Sequence, residues 1–223
     1  MNNPWNEIQI NNHPYILEMD KDIIDAINNS TKCEYRIQTL LFPEPFLGDK
    51  NAKIVLLNLN PGYSPDDDNV HSNNLIFREE VIRNLNHQAT CPFLFMDKRI
   101  SQVPGAVWWR SKLRQLISEC DEVNIAKNIQ CIEYFPYHSK KFKLNRTSKS
   151  LPSSFYTCQM VKNAIDRKAI IIIMRNKKAW IEKVPELNGY DNVFELINKR
   201  NVTISCGNLP DGVYKKIKLA INS

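Results

Sequence analysis

Lys53-Ile-Val-Leu-Leu-Asn-Leu-Asn-Pro-Gly-Tyr-Ser64 decides the fold of this chain. A short apolar run closed by polar and turn-forming residues has the pattern of a buried strand, here over residues 54–59. Pro61 fixes φ and Gly62 permits positive φ, so a sharp turn is expected where the strand emerges. In open α/β sheets ligands bind beyond the carboxyl ends of the strands. Asn60 is therefore expected to present a carboxamide at the rim of a sheet, suited to holding a water or a substrate. Asn-Pro-Gly equally makes an ordinary strand-to-loop turn.

Working outward, three more strands are expected, at residues 129–135, 169–174 and 201–205. Residues 170–173 are four consecutive isoleucines, which demand burial on both faces. Apolar residues at helical spacing predict helices over 18–30, 75–85, 105–119, 153–166, 178–184 and 213–221. Residues 39–46 are proline-broken and read as an extended lead-in, and 66–74 as a polar loop. Strands alternating with helices give an α/β domain with a mostly parallel, four-stranded sheet. One domain over 1–223 is expected, with 1–40 as an N-terminal helical extension. The turn clusters after the four strands would then share one rim: 60–63, 136–139, 175–177 and 207–210.

The chain is 223 residues long with a net charge of +6, enough to bury roughly 70 % of its unfolded surface. No apolar run reaches the roughly 18 residues of a membrane span, and residues 1–7 lack the basic and apolar regions of a secretory signal. A cytoplasmic protein without membrane association is expected. The six cysteines are scattered, with no Cys-x-x-Cys pair and no zinc-like Cys/His spacing; neither a metal nor a cofactor is expected, and Cys131 and Cys206 read as small buried hydrophobes. Between residues 139 and 165 there is no Asp or Glu, while Lys140, Lys141, Lys143, Arg146, Lys149 and Lys162 equal the whole net charge. Such clustering is the footprint of a phosphate partner, usually nucleic acid, or else a solvated basic loop. Arg175, Lys177 and Lys178 crowd the start of a predicted helix, where cations are electrostatically unfavourable unless an anion binds there.

In order and spacing, residues 40–221 resemble the uracil-DNA glycosylase superfamily. Asn58-Leu-Asn-Pro-Gly62 is similar to the first motif of its mismatch-specific branch. Pro43-Glu-Pro-Phe-Leu-Gly48 resembles the lead-in to the family's first strand. Glu133-Tyr-Phe-Pro-Tyr137 resembles the strand whose Asn-x-x-Pro end reads the extruded base, and Ser205-Cys-Gly-Asn-Leu-Pro210 falls where the second catalytic motif stands. The resemblance implies a three-layer α/β/α fold and hydrolysis of the N-glycosidic bond of a damaged or modified base flipped out of DNA. It implies that Asn60 positions the water and that Asn208 helps the leaving base. Gly62, Tyr63, Phe77, Glu133 and His138 would surround the base, with Lys140, Lys141, Lys143, Arg146, Lys149, Arg175 and Lys177 on the phosphates. Gly62 stands where stricter uracil enzymes carry a blocking tyrosine, which implies a less selective pocket.

The chain departs from that pattern in three places. Glu133 replaces a base-reading Asn; an ionised carboxylate only accepts hydrogen bonds, so adjacent donors, as on guanine, would suit it better than uracil. Asn208-Leu-Pro210 lacks the His-Pro-Ser or Asn-Pro-Ser signature. The cysteine spacing does not fit the iron–sulfur branch. The alternative is a catalytically inactive protein of the same fold that binds nucleic acid or a nucleotide. Among the smaller features, Phe135 is a second candidate stacking ring, or core like Phe77, and Trp109 is expected to pack against a neighbouring helix unless exposed to stack on a base. His71 reads as a surface residue, Asp66–Asp68 as a solvated turn, and Leu209-Pro210 as a turn rather than a wedge.

Overall fold

The computed structural model describes residues 2–149 and 151–223, and among them five strands form one sheet. They are β1 (Phe46–Leu47), β2 (Ile54–Asn58), β3 (Ile129–Glu133), β4 (Ile170–Ile173) and β5 (Val193–Glu195), in the order β1-β3-β2-β4-β5. β3, β2, β4 and β5 run parallel, and β1 pairs antiparallel with β3 at the edge. The apolar runs of β2 and β4 are buried at every position, as strands covered on both faces must be. Burying each of the four isoleucines of β4 contributes about 1.5–3 kcal/mol.

Ten α-helices accompany the sheet among the described residues: α1 (Lys21–Ser30), α2 (Pro65–Asn73), α3 (Leu75–Leu85), α4 (Pro104–Lys112), α5 (Arg114–Glu119), α6 (Glu122–Asn128), α7 (Arg146–Lys149), α8 (Ser154–Asp166), α9 (Lys177–Lys183) and α10 (Val213–Asn222). None is long and apolar enough to cross a membrane.

The sheet is thus mixed and five-stranded, not four-stranded. The extra strand comes from the proline-broken lead-in, whose backbone is held against the end of β3: Glu44 N–H donates to Pro136 O at 2.8 Å and Glu133 N–H to Pro45 O at 3.0 Å. Gly48 closes this edge at φ +94, and a Cβ there would lie 2.3 Å from Ile129 O. Only glycine satisfies both conditions.

The last strand also lies elsewhere, at β5 rather than at 201–205. The alternation of residues 201–205 is real, since Val202 and Ile204 are buried. Their hydrogen bonds nevertheless leave the sheet: Ile204 N–H donates to Lys112 O, and the Asn208 amide donates to Asn201 O and Thr203 O at 2.8 Å each. A helix-end carbonyl and one side-chain amide have replaced the ladder.

Two helix expectations change as well. The 105–119 helix is divided at Leu113, whose ψ of 8 breaks the helical course between α4 and α5. The polar segment 66–74 is not a loop but α2. Pro65 occupies its first turn, and Asp67 Oδ2 accepts the Ser64 backbone N–H at 2.7 Å, a capping-box contact.

The N-terminal forty residues contribute to the core. Trp5, Tyr15 and Leu17 are buried, and Tyr137 Oη donates to Asp20 Oδ2 at 2.7 Å while accepting the Leu17 N–H at 3.2 Å.

Candidate functional site

The register of the two central strands puts Asn58 directly opposite Glu133 at the carboxyl end of the sheet. Both side chains are buried, and Asn58 Nδ2 donates to Glu133 Oε1 at 3.0 Å. Beyond them the chain turns at 60–62 and 138–139, and two cross-links join these turns. Asn60 Nδ2 donates to Ser139 Oγ at 3.1 Å, and His138 Nδ1 donates to Gly62 O at 2.6 Å. Gly62 serves here through its carbonyl; it does not adopt the positive φ that the sequence allowed.

These turns border a cavity of about 470 Å³, within the range of small-molecule sites. Asn58, Asn60, Gly62, Tyr63, Phe77, Glu133, His138, Lys140 and Arg175 line it, together with Glu44, Asp67, His71, Trp108 and Ser139. Both donors of the Asn60 amide are engaged, the second by Pro61 O at 2.8 Å. Its Oδ1 is left as the atom able to accept from a water or ligand.

The floor is rich in ionisable groups but poorly solvated. Burial pushes the Glu133 carboxyl up to about 8, opposed by the hydrogen bond from Asn58 and the charge of Arg175. Burial, then the charges of Asp67 and Glu133, raises Glu44 well above the usual carboxylate range. Burial lowers both histidines, and His71 is depressed further by His138 and Arg78. Glu133 Oε2, Asn58 Oδ1 and His138 Nε2 are buried without a protein hydrogen bond. Buried polar groups of this kind call for a partner such as a water or a ligand.

Glu44, His71 and His138 each bring one possible ligand atom within 4.8 Å of the others. Their hydrogen bonds argue against a metal. His138 donates from Nδ1, leaving a lone pair on Nε2, which lies 3.5 Å from Glu44 Oε1. His71 instead accepts the Phe42 N–H at Nδ1 at 2.9 Å, so its neutral ring carries the proton on Nε2. Neither His71 nitrogen has a free lone pair, whereas ligating histidines donate from their second nitrogen. Two ligands remain, fewer than the three of a catalytic zinc site.

No family model, curated protein or solved structure matches this chain. The residues themselves therefore carry the functional reading.

Several expected site residues lie elsewhere. Asn208 does not line the cavity: its Oδ1 accepts from Asn198 N–H at 2.6 Å and its Nδ2 binds the 201–203 backbone, so the whole amide staples a loop. Phe135 is fully buried outside the lining. Trp109 lines the cavity but is buried rather than exposed, beside the partly buried ring of Trp108. His71 is buried rather than superficial, Leu209 is buried within its turn, and Cys206 is exposed rather than buried.

Of the cations, Lys141 pairs with Glu34 at 3.1 Å, Lys149 with Glu182 at 2.5 Å and Lys177 with Glu195 at 2.7 Å. Lys140 and Arg175 line the cavity, and Lys143 and Arg146 are exposed outside its lining; among the described residues none of the four makes an ion pair. The basic stretch is therefore partly neutralised by acids distant in sequence.

Glu44, Asn58, Asp67, His71 and Trp108 were not foreseen as site residues. Asn58 alone carried a usable signal, as a polar residue closing an otherwise apolar strand.

Proposed function

We propose that this protein hydrolyses the N-glycosidic bond of a nucleobase held out of its stack, on an architecture of the uracil-DNA glycosylase type with the sheet between helical layers. One observation carries the proposal. Asn60 and Glu133, singled out at the ends of different strands, face one cavity of small-molecule size, with Lys140 and Arg175 among its lining. Asn60 Oδ1 accepts a hydrogen bond from the attacking water, whose placement, rather than deprotonation by a neutral amide, lowers the barrier. Trp108 and Phe77 offer ring surface to the base, and the two cations meet flanking phosphates.

The test is base release from oligonucleotides carrying uracil, hypoxanthine, xanthine or an alkylated base, comparing wild type with Asn60→Ala. Release of a base, lost in the variant, supports the proposal. Wild-type silence on every substrate, with salt-dependent binding of the same oligonucleotides, favours a second reading as a base-binding protein without catalysis. The withdrawal of Asn208 into a loop supports that second reading.

A further inference from the structure

Asn58 and Glu133 form a paired couple at the cavity floor, joined through Nδ2 and Oε1 at 3.0 Å. Cys131 Sγ also reaches Glu133 Oε1, at 3.7 Å, so that oxygen is saturated as an acceptor. The proton of a neutral Glu133 then belongs on Oε2, which is buried and has no protein partner, and Asn58 Oδ1 is in the same position. Both residues line the cavity. Of the two unpartnered atoms, a protonated Glu133 Oε2 is a donor and Asn58 Oδ1 an acceptor.

Building on the function proposed above, we infer that Asn58 Oδ1 and Glu133 Oε2 receive the lactam edge of a base, a carbonyl oxygen beside a ring N–H, and that Glu133 is the general acid protonating the departing base. In the balanced step, water oxygen bonds to the anomeric carbon as the C–N bond breaks. The bonding pair passes to the base, and Glu133 Oε2–H transfers its proton to the base carbonyl. The water proton is released to solvent, and solvent reprotonates the Glu133 carboxylate. A neutral Glu133 reverses the preference expected of an ionised one: it donates, so it selects bases with a carbonyl instead of bases with donors alone.

The groups around Glu133 are Asn58 and Cys131 in contact, with Glu44 and Arg175 acting through their charges. Arg175 opposes protonation, yet burial outweighs it and keeps the carboxyl neutral up to about pH 8. General acids contribute on the order of 10²–10⁴-fold in rate.

The experiment compares wild type and Glu133→Gln on oligonucleotides carrying uracil, 5-fluorouracil, hypoxanthine or 3-methyladenine across neutral and alkaline pH. Glutamine keeps a donor at the Oε2 position but has no proton to transfer. The expected wild-type rate on lactam bases falls tenfold per pH unit above about 8, and Glu133→Gln is slower by about 100-fold with that alkaline limb gone. Its loss is smaller on 5-fluorouracil, a more acidic leaving group than uracil, while oligonucleotide affinity is retained. An unchanged alkaline limb, equal losses on uracil and 5-fluorouracil, or release of 3-methyladenine alone overturns this inference and leaves the glycosidic hydrolase standing. Wild-type silence on all four substrates overturns both.

Discussion

Glu133 makes a prediction about folding that does not depend on any substrate. Replacing it by glutamine preserves the acceptor for Asn58 Nδ2 and removes the only ionisation at that position. Moving a carboxyl from 4.5 to about 8 corresponds to about 5 kcal/mol between its two protonation states, at about 1.4 kcal/mol per pH unit. The folded protein retains a proton that the unfolded chain has already released, so stability falls with rising pH over that interval. The contribution is fully present below about pH 4.5, reduced by about 3 kcal/mol at pH 7, and lost beyond about pH 8. Urea unfolding of wild type and Glu133→Gln at pH 5, 7 and 9 measures it. Between pH 5 and pH 9 the glutamine protein should gain on wild type by about 4 kcal/mol. Glu44 is raised in the same sense, but it is common to both proteins and largely cancels. A stability gap that stays constant across the three pH values would refute a buried, neutral Glu133.

Two further predictions concern Asn208 and the cations. Asn208→Ala should lower stability by about 1–3 kcal/mol, because it strands the Asn201 and Thr203 carbonyls and the Asn198 N–H; base release at a temperature where the variant is folded should be unchanged, measured by denaturation and by the oligonucleotide assay. Lys140→Ala and Arg175→Ala should each weaken single-stranded DNA binding and reduce the slope of log affinity against log salt by about 0.7, whereas Lys149→Ala, whose partner is Glu182, should change the slope little in a fluorescence anisotropy titration.

Much of the frame was legible because it depends on local pattern. The four isoleucines of β4 and the apolar run of β2 allow no environment but a covered sheet. The helices at α3, α8 and α10 follow the 3.6-residue spacing of their apolar faces. Where local pattern misled, hydrogen bonds that apolar periodicity does not register were responsible. Residues 201–205 alternate as a strand does, yet Lys112 O and the Asn208 amide satisfy their backbone. Residues 66–74 look like a solvated loop, yet the Asp67 carboxylate caps them as a helix. The two-residue β1 was hidden by prolines that forbid most strands but tolerate an edge.

The sequence by itself determined that an α/β sheet would carry Asn60 in the turn beyond its first strand, since strand periodicity and turn chemistry are properties of neighbouring residues; Glu133 was expected within a 129–135 strand, and the structure ends that strand at Glu133. Tertiary structure decided what those residues are. It placed Asn58 against Glu133 through the β2–β3 register and surrounded Glu133 with buried apolar strands, while bringing Glu44 of the lead-in, His71 of α2 and His138 beyond β3 together. It also removed Asn208 from the site and neutralised Lys141, Lys149 and Lys177 with distant acids. Ionisation depends on desolvation and on charges close in space, and neither is encoded in the spacing of residues along the chain.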